Sequence, residues 1–498
     1  VNIKTFEPKM FIEDKSLELE FIKTNISLRS FLNNKFSIDN LKISTKTNEV
    51  KDLVLAVRSF KNSTNLYILS SIVKDGVIIG DVDLNFDDNG KIKNDYEVKG
   101  FIKNGKLKIL KKNSINDLSF IFNLKDQEYQ IKDLRGVYNK IELSSDSINI
   151  KKKEQEFLIE GELSNEKDNI NIKVFNNLFG GDLLDTNIET INFASNNKYT
   201  FSLNRQFKIN DLKLKSNINL YQLVYKNNLN NLKEYIPNIN ESIELKDHVL
   251  LIDYEKNKID IVGEGKIILK DKIDILKYKI KKKNDQYNFD TKIYINENPI
   301  LLNSILYKKK KDVKSLIKLE GTYKKNNQVK FNIISLKENK NIFLIKNLNL
   351  NDEFKILNFD YLSLNFLNKY KVKNQIKILK KDKRYKIEGK SFDFSKIINE
   401  IVNEKKEKSS SIFSNLNSSF DIQIDKTYLD KNVFVNNLNG FIDYKKNKIN
   451  KLDLDSAFPN NKKLSLTINT NEKNEKITTL YSNYPKPLIK RYDFIKGF

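Results

Sequence analysis

The chain has no cysteine, no tryptophan and a single histidine, His248, among 498 residues. Without cysteine there are no disulfides, thiolate zinc sites, iron–sulfur clusters or thiol nucleophiles. One histidine excludes His-pair metal sites and the H-E-x-x-H motif. Lacking Cys or His companions, His248 reads as a solvated or packed side chain. Six prolines and 15 glycines exclude collagen-like and Pro-rich linker chains. Apolar runs are short, the longest being of the kind Leu53–Val57 and Val77–Ile79, far below the ~18 residues that cross a bilayer. No signal peptide is visible.

Arginine is scarce too. It occurs only at Arg29, Arg58, Arg135, Arg205, Arg384 and Arg491, and lysine supplies the rest of the 89 basic residues. Against 65 acidic residues the net charge is +24, which invites a nucleic-acid reading. Nucleic-acid readers favour arginine for bidentate base and phosphate contacts. The lysines also run along the whole length instead of forming one patch. With Ile and Asn also very frequent, the excess matches A/T-rich codon usage. No nucleic-acid partner is expected, and a weak attraction to anionic membrane surfaces is.

Apolar residues make up 39% of the chain, with 31 Phe and 22 Tyr, enough for a folded protein. Length alone suggests about three domains at ~150 residues each, yet no composition shift or Ser/Gly linker marks a boundary. Period-two alternation dominates. In DVDLNF, Val82, Leu84 and Phe86 share one side; in LSFIFNL, Leu118, Phe120, Phe122 and Leu124 do. Phe157, Ile159 and Leu163 repeat the pattern, as do Ile170, Ile172 and Val174, then Phe420, Ile422 and Ile424, and Leu464, Leu466 and Ile468. Such runs predict strands with one apolar and one polar face. Asn-Gly turns are predicted in DDNGK (Asp87–Lys91) and KNGK (Lys103–Lys106), and further turns in KKNN (Lys324–Asn327) and KKNK (Lys445–Lys448).

Three segments break the alternation. Leu220–Ile236 places Leu220, Leu223, Val224, Leu232 and Tyr235 at mostly helical spacing before Pro237. Ser395 is a candidate N-cap for a helix with the stripe Ile397, Ile398, Ile401 and Val402, followed by a mobile loop at Lys405–Ser411. Glu49–Phe60 fits helix or strand. With few helices to cover them, the apolar strand faces must meet in a sandwich or barrel, or line a groove filled by something apolar, for which acyl chains are the natural candidate.

Motifs of catalysis are weak. Asp81–Ile92 imitates a calcium loop but has Phe86 and Ile92 where Gly and Glu are required, so a hairpin is expected. GEGK at Gly263–Lys266 is too short for a P-loop, and its glycines relieve crowding within a strand. The lysine runs Lys151–Lys153, Lys281–Lys283 and Lys308–Lys311 read as solvated turns between strands. No carboxylate pair can be nominated for acid/base work, and no catalytic, metal or cofactor residue is assigned. Val82, Leu84, Phe86, Phe120 and Phe122 are wall candidates whose facing is open.

In the C-terminal part, Tyr385–Val402 (YKIEGKSFDFSKIINEIV), Phe420–Phe458 with its NLNG step, and Leu464–Phe498 together resemble the AsmA-like family, the TamB/YhdP-type envelope proteins. The stretch Phe36–Phe60, followed by Ile72–Ile92 and Tyr96–Ile109, resembles that family's hairpin series. The resemblance implies an all-β fold with a few short helices: an elongated, curled, mostly antiparallel sheet forming a hydrophobic groove. Residues 1–384 would be the groove region, without an internal boundary, and residues 385–498 a truncated C-terminal region. The implied function is bridge-like phospholipid transport between inner and outer membrane, supporting outer-membrane biogenesis and envelope integrity. The chain would be a passive conduit in a Gram-negative periplasm, not an enzyme, needing no cofactor, with an inner-membrane anchor upstream of Val1. The alternative is a structural or adhesin-like β-scaffold of the envelope with a self-filled core. A solenoid form of it requires a regular repeat, and the strand spacing is irregular.

Overall fold

The computed structural model describes all residues except 13–14, 34–35, 61–63, 110–112, 127, 139, 155, 171–186, 205, 207, 227–238, 271, 312, 325–328, 352–354, 397–416, 446–447, 472–474 and 493–498. Among the described residues strand accounts for 74% and helix for 7%, with four helices, so the protein is all-β and its strands do not close into a barrel. Two compact units form: Val1–Leu223 with Asp247–Lys256, and Val224–Lys246 with Asn257–Phe498.

In the first unit, Asn2–Phe6 and Lys9–Ile12 both pair with Lys15–Ile26, which pairs with Ile38–Thr45 and through it with Val73–Asn85. From there each strand pairs with its successor: Glu97–Ile109, Asn113–Lys125, Glu128–Tyr138, Ile141–Lys153, Glu156–Ile170 and Ile188–Asn204. The turn at Asp87–Lys91 forms as expected. Asp87 Oδ1 accepts from the backbone N–H of Asn89 and Lys91, both at 2.9 Å, and Gly90 takes φ +78°. Those two donors hold the Asp87 carboxyl below the usual carboxylate range.

The second Asn-Gly expectation fails. Lys103–Lys106 lies inside the strand Glu97–Ile109, where Asn104 takes φ +53° and the register shifts between Ile102 and Gly105. A bulge uses the same left-handed residue that a hairpin does, and partner strands on both sides keep the chain extended.

In the second unit the antiparallel series runs from Lys258–Ile268 to Arg384–Asp393. Arg384–Asp393 then pairs with Ser418–Tyr428, the one parallel pairing described. Phe434–Lys445, Lys448–Ala457, Lys463–Thr470 and Lys476–Ser482 complete the ladder. Phe420, Ile422 and Ile424 share one side, as alternation predicts, and pack with Ile376, Phe392 and Leu438.

The predicted helix at Leu220–Ile236 is corrected for its first residues, because Ile209–Lys226 is a strand. Ile218, Leu220 and Val224 also satisfy period two, and the remainder lies outside the described residues. The segment Glu49–Phe60 resolves to helix over Val50–Phe60. Ser395 and Lys396 are helical, but the cap is Asp393, whose Oδ1 accepts from Ser395 N at 2.9 Å. The stripe from Ile397, the loop at Lys405–Ser411, most of KKNN, the middle of KKNK, and Ile172 with Val174 lie outside the described residues. His248 is packed, at 1% exposure.

The lysine runs need a second correction. Lys151–Lys153 and Lys281–Lys283 are the last residues of strands. In Lys308–Lys311, Lys309 is 1% exposed. It belongs to a strap, residues 296–314, that leaves the strand Gln286–Ile295 and returns as Ser315–Lys324. Ile300 and Tyr307 of the strap bury against Ile295, Leu336, Phe343 and Phe366. Polar bonds fix it beneath. Tyr307 Oη donates to Glu338 Oε2 at 2.7 Å, and Lys310 N donates to Glu338 Oε1 at 3.0 Å. Lys309 Nζ donates to the carbonyls of Asn296 and Lys310. Asp274 accepts from Asn296 N and from Asn298 Nδ2. Burial pushes the Asp274 carboxyl up, against the pull of those donors and of Lys309.

Close strand approach sets one sharp constraint. Gly80 and Gly100 stand opposite each other, and a Cβ on Gly100 would lie 2.2 Å from Ile79 O and 2.9 Å from Phe122 Cζ. Gly100→Ala should therefore lower unfolding stability by ~1–3 kcal/mol through overpacking, read as a lower urea midpoint at unchanged slope.

Candidate functional site

The feature that stands out in the first unit is an apolar strand face left largely without a second layer. Register assembles it. Ile22, Ile43, Val82, Val98, Leu124, Tyr129, Ile150, Ile159 and Phe201 follow one another directly across nine strands. Eight strand spacings of ~4.8 Å make this row about 38 Å wide. Residues four along the strands add Ile78, Ile102 and Phe120, which are likewise adjacent. Most of these side chains are half-buried. The opposite face carries polar pairs, Lys42 Nζ meeting Asp83 Oδ2 at 2.6 Å and Ser44 Oγ donating to Asp81 Oδ1 at 2.7 Å, together with the exposed Phe101 and Ile121.

Two helices, Val50–Phe60 and Thr64–Ile72, cover part of the apolar face. Val50 and Val54, one turn apart, bury with Val73 and Ile78, and Leu53, Ile102, Leu107 and Phe122 pack around them. Between helices and strands remains a cleft of about 400 Å³. Its roof is Val50, Leu53, Val54 and Leu69. Leu118, Phe120, Phe122 and Leu124 form one side of its floor, with Ile131 and Ile150 beyond. The Tyr129 hydroxyl sits at this wall, and burial pushes its pKa up, with Tyr96 adding to the effect. Such a cleft offers apolar contact along its length and almost no polar anchoring. It suits a flexible hydrocarbon chain better than a small polar metabolite.

The wall candidates divide. Val82, Leu84, Phe120 and Phe122 lie on one face, and the two phenylalanines line the cleft. Phe86 lies outside it, bridged to Ile92 and 5.4 Å, centroid to centroid, from the Phe36 ring. The roof was not identified in sequence, since Glu49–Phe60 left helix and strand equally open. Its spacing of Val50, Leu53 and Val54 is the signal that fits helix.

The second unit treats its apolar face differently. Gly263, Tyr278, Thr291, Leu319, Ile334, Ile345, Leu362, Ile378, Ile387 and Ile422 run side by side. Tyr278 lies over Gly263, where a Cβ would come within 2.3 Å of its ring, as the crowding argument for GEGK expects. Burial pushes the Tyr278 phenol up to about 12. At the strap end this face is covered by Tyr307, Phe343 and Phe366, whose rings stack within 6 Å of one another.

Elsewhere in the first unit, a polar depression of about 460 Å³ is lined by Glu160, Glu162, Lys198, Lys213 and Lys215. Its charges neutralise one another, as in the Lys198–Glu162 pair at 3.6 Å. Among the described residues no group of three His, Asp or Glu could hold a metal ion, and no helix is long and apolar enough to cross a membrane. No protein-family model, curated protein or solved structure matches the chain.

Proposed function

We propose that the chain carries phospholipid acyl chains along the apolar strand face of its first unit, as a passive conduit between membranes. The observation that carries this reading is the nine-strand apolar row continuous with the roofed cleft. Each methylene taken from water onto such a wall gains roughly 0.8 kcal/mol. An even wall gives no position a deep trap, so a chain can be held and still move. Lysines at strand ends, such as Lys151–Lys153, would keep headgroups in the wet margin. The resemblance to AsmA-like proteins extends this to phospholipid movement between inner and outer membrane, with the chain in the periplasm. No enzymatic step, cofactor or nucleic acid enters the scheme.

Transfer of a fluorescent phospholipid between donor and acceptor vesicles tests it. Leu84→Asp places a carboxylate on the apolar face beside Val82 and should slow transfer about tenfold or more, while secretion and circular dichroism stay unchanged. Equal transfer by the two proteins would reject this face as the path.

The covered strap end of the second unit favours a self-filled scaffold for that part of the chain. There Ile295, Tyr307 and Phe366 are almost fully buried by protein alone, which leaves no room for a guest.

A further inference from the structure

On the second unit, the strand face opposite the apolar one breaks its own pattern at one end. Along most of its length it is polar: Lys279 and Lys281, Asn288 and Asp290, Glu320 and Thr322 alternate outward. Near the strap the same face turns apolar. Register places Lys266, Ile275, Tyr294, Leu316, Lys337 and Ile342 side by side across six strands. Ile273 and Leu367 lie one step nearer the rim. Ile273 is 48% exposed, Ile275 39%, Ile342 38% and Leu367 51%, so this strip is bare. Five strand spacings of ~4.8 Å make it about 24 Å wide.

Directly alongside runs a row of lysines, Lys277, Lys292 and Lys318, on three adjacent strands. Like charges placed directly opposite disfavour a sheet. Lys277 is paired with Glu264 at 2.6 Å and Lys318 with Glu320 at 2.9 Å. Asp290, on the same face two residues from Lys292, also acts on Lys318. Asp274 and Glu338 are buried, and Glu297 is taken by Lys272 at 3.3 Å. An exposed aliphatic strip flanked by a basic row matches the interface of an anionic bilayer, with apolar residues entering the headgroup–acyl boundary and lysines meeting the lipid charge.

We infer that this strip docks the second unit on an anionic lipid surface through Ile273, Ile275, Ile342 and Leu367, with Lys277, Lys292 and Lys318 contacting headgroups. This goes beyond the conduit reading and holds whether or not acyl chains occupy the first unit.

The test uses the full chain and flotation with vesicles of phosphatidylcholine, alone or mixed with phosphatidylglycerol. The triple variant Ile275→Ser, Ile342→Ser and Leu367→Ser keeps the net charge of +24, so diffuse attraction is preserved and only the strip is lost. Because these side chains are exposed, the fold should survive, which circular dichroism checks. The wild type is expected to float with mixed vesicles at physiological salt, and the variant to bind them roughly tenfold or more weakly. Equal binding by both proteins would overturn the proposal in favour of diffuse charge. Sedimentation without lipid supplies the other overturning result: a dimer of the wild type that the variant abolishes would make the strip a contact between copies. Lipid that co-purifies in the first unit should be the same in both proteins, which separates failure here from failure of the conduit.

Discussion

Phe120→Asp should empty the roofed cleft of acyl chains, whereas Ile121→Asp, one residue along, should leave them in place. The two side chains leave the same strand in opposite directions. Phe120 lines the cleft, while Ile121 is 47% exposed on the other face. Eight methylenes buried on the wall are worth about 6 kcal/mol at ~0.8 each. A carboxylate among Ile102, Leu118 and Phe122 has no cation to pair with in the apolar lining, so it draws in water or takes up a proton, at a cost of several kcal/mol. Affinity for a fluorescent fatty acid should fall at least ~100-fold, the equivalent of about 2.8 kcal/mol. Phe120→Leu, which keeps an apolar wall, should stay within a few-fold. Titration of the four proteins with one probe makes the comparison. Equal loss in the Phe120 and Ile121 variants would show that the face assignment is wrong.

Glu338→Ala should release the strap of the second unit. The carboxylate accepts from Tyr307 Oη, from Lys310 N and from Asn341 Nδ2. Truncation leaves these donors without their acceptor at a largely buried position, with Lys309 nearby. Removing one member of a buried charged network costs about 3–5 kcal/mol. Within the strap Lys309 is fully covered in the native state, whereas Lys308, Lys310 and Lys311 are exposed. Trypsin should therefore cut after Lys309 slowly in the wild type and about 100-fold faster in the variant, as the opened population rises. Tyr307→Phe, which removes one of those donors and keeps the ring against Phe343 and Phe366, should accelerate cleavage only a few-fold. Cleavage at the wild-type rate in Glu338→Ala would mean that apolar packing alone holds the strap.

Alternation carried most of the strand content because each side chain's face depends only on its own strand. Leu118, Phe120, Phe122 and Leu124 were grouped correctly for that reason. What alternation lacks is register, which decides that Val82 meets Val98 and Val98 meets Leu124. Register hangs on bulges, and the bulge at Asn104 carries the same Asn-Gly signal as a hairpin, so KNGK was misread. The helical roof was ambiguous because eleven residues with Val50, Leu53 and Val54 about one turn apart fit either period; the supporting face beneath decides it. Lys309 is the clearest failure of composition. A lysine run predicts solvent, and only tertiary structure reveals the two carbonyls, of Asn296 and Lys310, that accept from one ammonium in the interior. The segment Leu220–Val224 fits both periods, and an extended neighbourhood settles it as strand.

The most direct test is native mass spectrometry, with lipid extraction, on the full chain expressed in a Gram-negative periplasm. The conduit account predicts phospholipid bound to the wild type, lost from Phe120→Asp and retained by Ile121→Asp. A folded, β-rich wild type that carries no lipid would contradict it and leave the apolar faces covered by the protein itself.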